Sequence, residues 1–279
     1  MKRKTVIVAD SSANLFPSDY AGFMSVPLKI LTDAKEYVDD EVLDVEGMLT
    51  DLREYKGRSG TSCPSVGDWL QAFGDAEEVY GVSLTSHLSG CYNAASIAAE
   101  DYMAEHPGRK VFILDSLSTG PELELLVEKY RSLIEFGYSF DEIQEKILQY
   151  SKRTHLLFSL ESLANFARNG RVSPALAAAA NLLGIRIVGR ASDEGELEPL
   201  HKCRGEKRAI RQLWDSMQQS GYAGGKVCIR HSDNLNAAEM LAKDIQNCFP
   251  NADIKIGVNR GLCSYYAEKG GILVGFESR

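Results

Sequence analysis

From Thr5 to about residue 150 the chain alternates short apolar runs with helix-patterned segments, and that alternation restricts the fold more than any other feature. "TVIVA", "MSVPLKIL", "VYGVSL" and "KVFILD" read as strands. "VEGMLTDLREY", "WLQAF", the segment from Gly90 to about Met103, "PELELLVEKYRSLIEFG" and "SFDEIQEKILQYSKR" have helical spacing. Parallel neighbours need a crossover, which a helix supplies, so the pattern predicts a mostly parallel, doubly wound sheet. Pro27 lies inside the second run and marks an edge or a bulge, because it cannot donate to a ladder. Ser139 with Glu142 three residues on forms a capping box for the last helix of this unit.

The remainder is more mixed. "HLLFSL" is a strand, "ESLANFARNG" a helix closed by Gly170, and "SPALAAAANLLG" a helix with Pro174 in its first turn. Close helix packing explains the run Ala177–Ala180. "IRIVGRA" and "ELEPLHK" are strands joined by "SDEG", a hairpin signal. The helix "GEKRAIRQLWDSMQQSG", the strand "KVCIRH", the helix "NAAEMLAKDIQNCF" and the strands "DIKIGV" and "GILVGFE" follow. The expectation is an α/β protein of two domains. Residues 1–150 form the first, with the parallel sheet; residues 151–279 form the second, with a mixed sheet and flanking helices.

Composition narrows the function. A net charge of −8 argues against a nucleic-acid backbone as the main partner, since phosphate binding needs clustered Lys and Arg. No apolar run approaches the ~18 residues of a membrane span. The first run, Val6 to Ala9, is too short for a signal-peptide core, so a cytoplasmic protein is expected, with at most transient membrane contact. The six cysteines form no C-x-x-C pair and the five histidines are scattered, which points to free thiols and no dedicated metal site.

Ligands of open parallel sheets bind beyond the carboxyl ends of the strands. Four places there carry hydroxyls: Asp10-Ser11-Ser12; Thr61-Ser62, in a loop before the "WLQAF" helix; Thr85-Ser86 with Ser89-Gly90; and Asp115-Ser116 with Ser118-Thr119. One such loop is ordinary helix capping. Four in one domain point to a polar site for an anion, because helix N-termini add unpaired N–H groups and partial positive charge. No G-x-x-x-x-G-K-[ST] or G-x-G-x-x-G follows a strand, which disfavours a nucleotide phosphate. A carboxylate needs only a few hydroxyls and N–H groups. The competing reading is a serine hydrolase or acyl transferase using Ser89 or Ser86, with His87 or His231 as base. It lacks the G-x-S-x-G elbow.

These segments resemble the DegV family of bacterial fatty-acid-binding proteins across essentially the whole chain. The resemblance rests on "VADSSANL", "TSCPSVGDWLQAF", "SLTSHLSGCYNAA", "LDSLSTG", "NGRVS" and "CRGEKRAI", in the family's order. It implies two α/β domains with a long acyl chain buried between them. It also implies that the protein is a non-catalytic carrier, needing no cofactor, which hands the fatty acid to a partner kinase that makes an acyl phosphate for phospholipid synthesis. By motif, Thr61, Ser62 and Ser89 are the carboxylate-binding residues, with the Gly90 amide and Ser86 beside them. Arg171 and Arg204 are assigned to the kinase or the phosphate end. Many members end with G-x-H-x-GPG, whose histidine lies near the carboxylate. Here the segment is "RGLCSYYAEKGGILVGFE", and that position falls on Cys263 counted from Gly261 or on Tyr266 counted from the final strand.

Two further expectations concern small residues. Ala94, Ala95, Ala98 and Ala99 either leave room for the chain or allow close packing of helix on sheet. Cys63, Cys91 and Cys263 ring the head group if their three loops converge, which raises a soft-metal or redox reading.

Overall fold

A computed structural model describes residues 4–180 and 184–279. In chain order the first half carries β1 (Thr5–Asp10), β2 (Phe23–Val26), β3 (Lys29–Thr32), β4 (Glu36–Val38), α1 (Val45–Glu54), β5 (Ser59–Ser62), α2 (Val66–Phe73), β6 (Glu78–Ser83), α3 (Cys91–Glu105), β7 (Lys110–Asp115), α4 (Pro121–Glu135) and α5 (Phe140–Ser151). The central runs are apolar on both faces, and they pair as a parallel sheet in the order β2-β1-β6-β7. Trp69 and Phe73 of α2 and Ala95 and Ala98 of α3 cover one face. Leu126 and Tyr130 of α4 and Ile143 and Ile147 of α5 cover the other. The sheet is therefore doubly wound. Ser139 caps α5 through the expected reciprocal bonds with Glu142.

Pro27 divides what the sequence suggests is one strand. It has no N–H to continue a ladder, so β2 ends as the edge of the parallel sheet and the chain turns away. β3 then joins a separate small antiparallel sheet in the order β4-β3-β5.

The second half carries β8 (Thr154–Leu160), α6 (Ala164–Arg168), α7 (Pro174–Ala180), β9 (Ile185–Ala191), β10 (Leu197–Arg204), α8 (Glu206–Gln219), β11 (Tyr222–His231), α9 (Leu235–Cys248), β12 (Ile254–Val258), α10 (Gly261–Ala267) and β13 (Ile272–Ser278). The expected continuation of α7 through 181–183 and the packing of the alanine run lie outside the described residues. Six strands form a mixed sheet, β10-β9-β8-β13-β11-β12, in which only β11 and β12 run parallel. "SDEG" closes the β9–β10 hairpin, where the Ser192 N–H donates to the Glu196 carbonyl at 2.9 Å. Leu213 and Trp214 of α8 and Leu241 of α9 bury one face of this sheet.

The other face meets α4, which touches both sheets. Residues Pro121 to Val127 are all buried, because this helix is covered on both sides. Its approach depends on Gly275 in β13. A Cβ there would lie 2.5 Å from the Pro121 carbonyl carbon and 2.7 Å from the Glu122 nitrogen, both backbone atoms. Charge holds the register further along. Glu124 accepts from Arg230 at 2.7 Å, and Glu128 pairs with Lys226 at 2.9 Å and with Lys255. The Glu122 carboxyl accepts hydroxyl bonds from Ser118 at 2.5 Å and Thr154 at 2.8 Å, and burial pushes its pKa up to about 7.

Gly275→Ala forces a methyl group into the α4 backbone, which cannot move without separating the sheets. Urea denaturation should show a loss of roughly 3 kcal/mol, the upper end for overpacking a core.

Candidate functional site

A cavity of about 260 Å³ lies between the parallel sheet's strand ends and the α4 side of the mixed sheet. Most of its wall is apolar. Leu156, Phe158 and Leu160 point into it from β8 at the two-residue period of a strand. Leu28, Leu84 and Leu262 face them from the first unit. One end is polar and carries Thr61, Ser62, Ser89, Gly90, Arg171 and Tyr266. The cavity opens there, because Leu88, Ser89, Gly90, Arg171, Glu196 and Leu197 also line an outer groove of about 730 Å³.

The polar end is assembled from distant segments. Thr61 and Ser62 sit on β5, which is a strand of the small sheet and not the loop expected from the sequence. The Thr61 hydroxyl is hydrogen-bonded to the Tyr266 hydroxyl at 2.8 Å. Gly90 is the N-cap of α3 and makes no side-chain cap, so Ser89 supplies the hydroxyl at this helix start. Its Oγ accepts from the Cys91 N–H at 3.3 Å and donates to the Cys91 sulfur at 3.2 Å. A thiol is a weak acceptor, so this donor remains open to a stronger one. Ser118 and Thr119 join the lining from the loop after β7, the Ser118 hydroxyl being donated to Glu122. Ser86 faces only the outer groove, together with His87. The loop Asp10-Ser11-Ser12 does not reach the cavity. It braces the site from beneath, with Asp10 accepting from the Leu84 N–H at 2.7 Å.

Both candidates in the C-terminal motif line the cavity, in different settings. Tyr266 belongs to the hydroxyl cluster, and burial raises its pKa. The Cys263 sulfur instead donates to the Ser12 carbonyl at 3.4 Å, and burial pushes its pKa up to about 12. Both ride on α10, a seven-residue helix with no side-chain N-cap of its own. Asp39 caps it from across the molecule, accepting from the Gly261 N–H at 2.8 Å and the Leu262 N–H at 2.9 Å. A Cβ at Gly261 would lie 2.6 Å from that carboxylate. α10 also holds α6 to β5, since the Tyr265 hydroxyl bonds Ser59 at 2.9 Å and accepts from Asn169 at 3.0 Å.

Arg171 is half-buried at the mouth, its Nε donating to the Leu88 carbonyl at 3.3 Å and its Nη1 to the Asn169 carbonyl. Among the described residues no carboxylate pairs with it. Arg204, at the end of β10, is exposed and lies outside the cavity wall. The two arginines paired by the sequence reading are thus in different places.

No histidine hydrogen-bonds Ser89 or Ser86 among the described residues. His231 bonds instead to the Asn234 N–H at 3.2 Å. Cys63 and Cys263 both line the cavity, and the Cys63 sulfur lies beside Gly90. All six cysteines are free, burial raises the pKa of Cys91 and Cys263, and no group of three His, Cys, Asp or Glu among the described residues could hold a metal. Ala94, Ala95, Ala98 and Ala99 pack into the core beside α2, which is the close-packing alternative. No helix among the described residues is long and apolar enough to cross a membrane.

Fold and site together define a class: an α/β protein with an apolar slot between its two larger sheets, whose polar end opens outward, suited to an amphiphile with one anionic end. A family model described as "Uncharacterised protein, DegV family" matches residues 4–278. A DegV domain-containing protein of Streptococcus pneumoniae is 41% identical over 275 residues, covering 97% of this chain and 98% of the relative. The chain belongs to the DegV family. Among solved structures, a DegV family protein from Eubacterium eligens loaded with heptadecanoic acid superposes with a TM-score of 0.96 at 42% identity, covering 99% of this chain and 100% of that one. The Streptococcus pneumoniae Fatty Acid Kinase (Fak) B3 protein loaded with linoleic acid gives 0.96 at 40% identity, with the same coverage.

Asp39 provides a check on the α10 anchor. Burial raises its pKa from 3.8 to about 6, so the folded protein binds a proton more tightly than the unfolded chain. The stability this group contributes is fully present below pH ~4 and declines as pH rises to about 6. The advantage of the wild type over Asp39→Asn, measured by urea denaturation across that range, should therefore narrow as pH rises.

Proposed function

We propose that this protein binds a long-chain fatty acid and presents its carboxylate to a partner fatty-acid kinase. The carrying observation is the lining of the cavity: an apolar slot that ends in hydroxyls, with an arginine that no carboxylate pairs among the described residues. The carboxylate takes hydrogen bonds from Thr61, Ser62 and Ser89, with the Gly90 amide beside them. Of the two candidates for the C-terminal motif position, Tyr266 is the one assigned to the head group, a choice supported by its hydroxyl's bond to Thr61. Arg171 supplies the counter-charge, an addition to its expected role toward the kinase. Ser86 faces the head group from the outer groove, and Cys263 lines the tail side.

The energetics suit a carrier. A tail of ~16 carbons at ~0.8 kcal/mol per buried CH₂ gives on the order of 12 kcal/mol before the costs of association. Head-group contacts need only prevent an unpaired charge and fix direction. The first 150 residues hold most of the head group, and residues 151–279 close over the tail, with Arg171 and α10 as the parts that reach back to the head. The protein acts in the cytoplasm as a carrier, and catalysis belongs to the kinase. Arg204, exposed beyond the mouth, serves that partner.

Organic extraction of the purified protein followed by mass spectrometry should yield a fatty acid. An empty extract, with esterase activity that disappears in Ser89→Ala, would instead support the hydrolase reading. Ser89→Ala and Arg171→Ala should each weaken fatty-acid affinity by roughly 10- to 100-fold, the loss expected for one hydrogen bond to a charged group. Arg204→Ala should bind normally yet slow acyl-phosphate formation with the kinase. An unchanged rate in the reconstituted reaction removes Arg204 from the docking surface.

A further inference from the structure

We infer that one cross-strand pair, Phe158 on β8 and Gly189 on β9, sets which acyl tails this cavity accepts. The inference rests on the fatty-acid reading and extends it from the head group to the tail. Phe158 stands directly opposite Gly189 in the sheet and opposite Leu273 on its other side. Its ring is folded sideways onto the glycine. A Cβ at residue 189 would overlap the ring's Cζ and lie 2.7 Å from Cε2. An aromatic ring laid over a strand glycine is a known way to cover bare backbone, which accounts for the ring's resting place.

The consequence falls on the cavity, because Phe158 is also part of its wall. Lying flat, the ring leaves the slot open; raised, it would fill part of it. The facing wall cannot compensate. Leu28, Leu84 and Leu262 are packed into the core around the parallel sheet, and interiors at that density yield little. Position 158 is therefore where a change of side-chain volume passes directly into space for the tail. A smaller residue adds the ring's volume to the slot, and a larger one, which Gly189 cannot accommodate fully, subtracts from it.

The test is competitive loading. Delipidated wild type, Phe158→Leu and Phe158→Trp are each offered an equimolar mixture of saturated C14, C16 and C18 acids and cis-unsaturated C18 acids. Bound acids are then quantified by mass spectrometry. Circular dichroism and thermal melting confirm that each variant is folded. Phe158→Leu should move the bound profile toward bent or longer chains by roughly tenfold, the discrimination typical of a methylene-scale change in an apolar pocket. Phe158→Trp should move it toward shorter, straight chains. Folded variants that load the wild-type profile would overturn the assignment while leaving the fatty-acid reading intact. A wild type that loads none of the acids would overturn both. Gly189→Ala is the less useful variant, since its methyl group also meets the Glu198 carbonyl.

Discussion

The first turn of α4 rests on the bare backbone of Gly275, and the relation between the two sheets follows from that contact. A helix normally buries one stripe and leaves the opposite face wet. This one buries its leucines against the parallel sheet and turns its carboxylates toward β11 and β12, where Arg230, Lys226 and Lys255 meet them. Because the shared layer is a single rigid element, the gap beside it has a fixed width. The cavity occupies that gap, so backbone contact sets the spacing of its walls and side chains such as Phe158 set the room left between them.

The polar end follows a different logic. Its hydroxyls come from β5, the start of α3, the loop after β7 and α10, and the charged groups of the cavity wall are Arg171, Arg190 and Glu196. Hydroxyls satisfy a carboxylate without binding it as an ion pair would, and Arg171, which with Glu196 lines both the cavity and the outer groove, stands at the opening. Directional donors within and a cation at the rim match a ligand that must be held and also shown to another protein.

Much of this was legible in the sequence. Strand–helix alternation foretold the doubly wound sheet, the Ser139 capping box marked the start of α5, and "SDEG" marked a hairpin; each depends on residues near one another in the chain. Of the hydroxyl-bearing segments read from the sequence, Thr61, Ser62, Thr85, Ser89, Ser118 and Thr119 line the cavity, whereas Ser11, Ser12 and Ser86 do not. What stayed hidden depends on long-range partners. β4 and β5 are three and four residues long, and β5, "SGTS", has no apolar alternation, so only pairing with β3 makes it a strand. α10 is too short to be stable alone and is capped by a carboxylate 222 residues away, for which no local signal exists. Arg171 looked like its surface counterpart Arg204 because charge without position cannot distinguish a cavity mouth from open solvent.

The strand order of the mixed sheet has a consequence in time. β13 lies between β8 and β11, so the last strand in sequence is an interior one in space. During synthesis, β8 through β10 emerge first and keep a naked edge until residues 272–278 arrive to fill the middle. α10, just upstream, completes the hydroxyl cluster at the same late moment. Any nascent chain interrupted before that point lacks both the central strand and a wall of the slot. The wall that α10 and β13 give the slot is thus added after every other strand of the mixed sheet has been made.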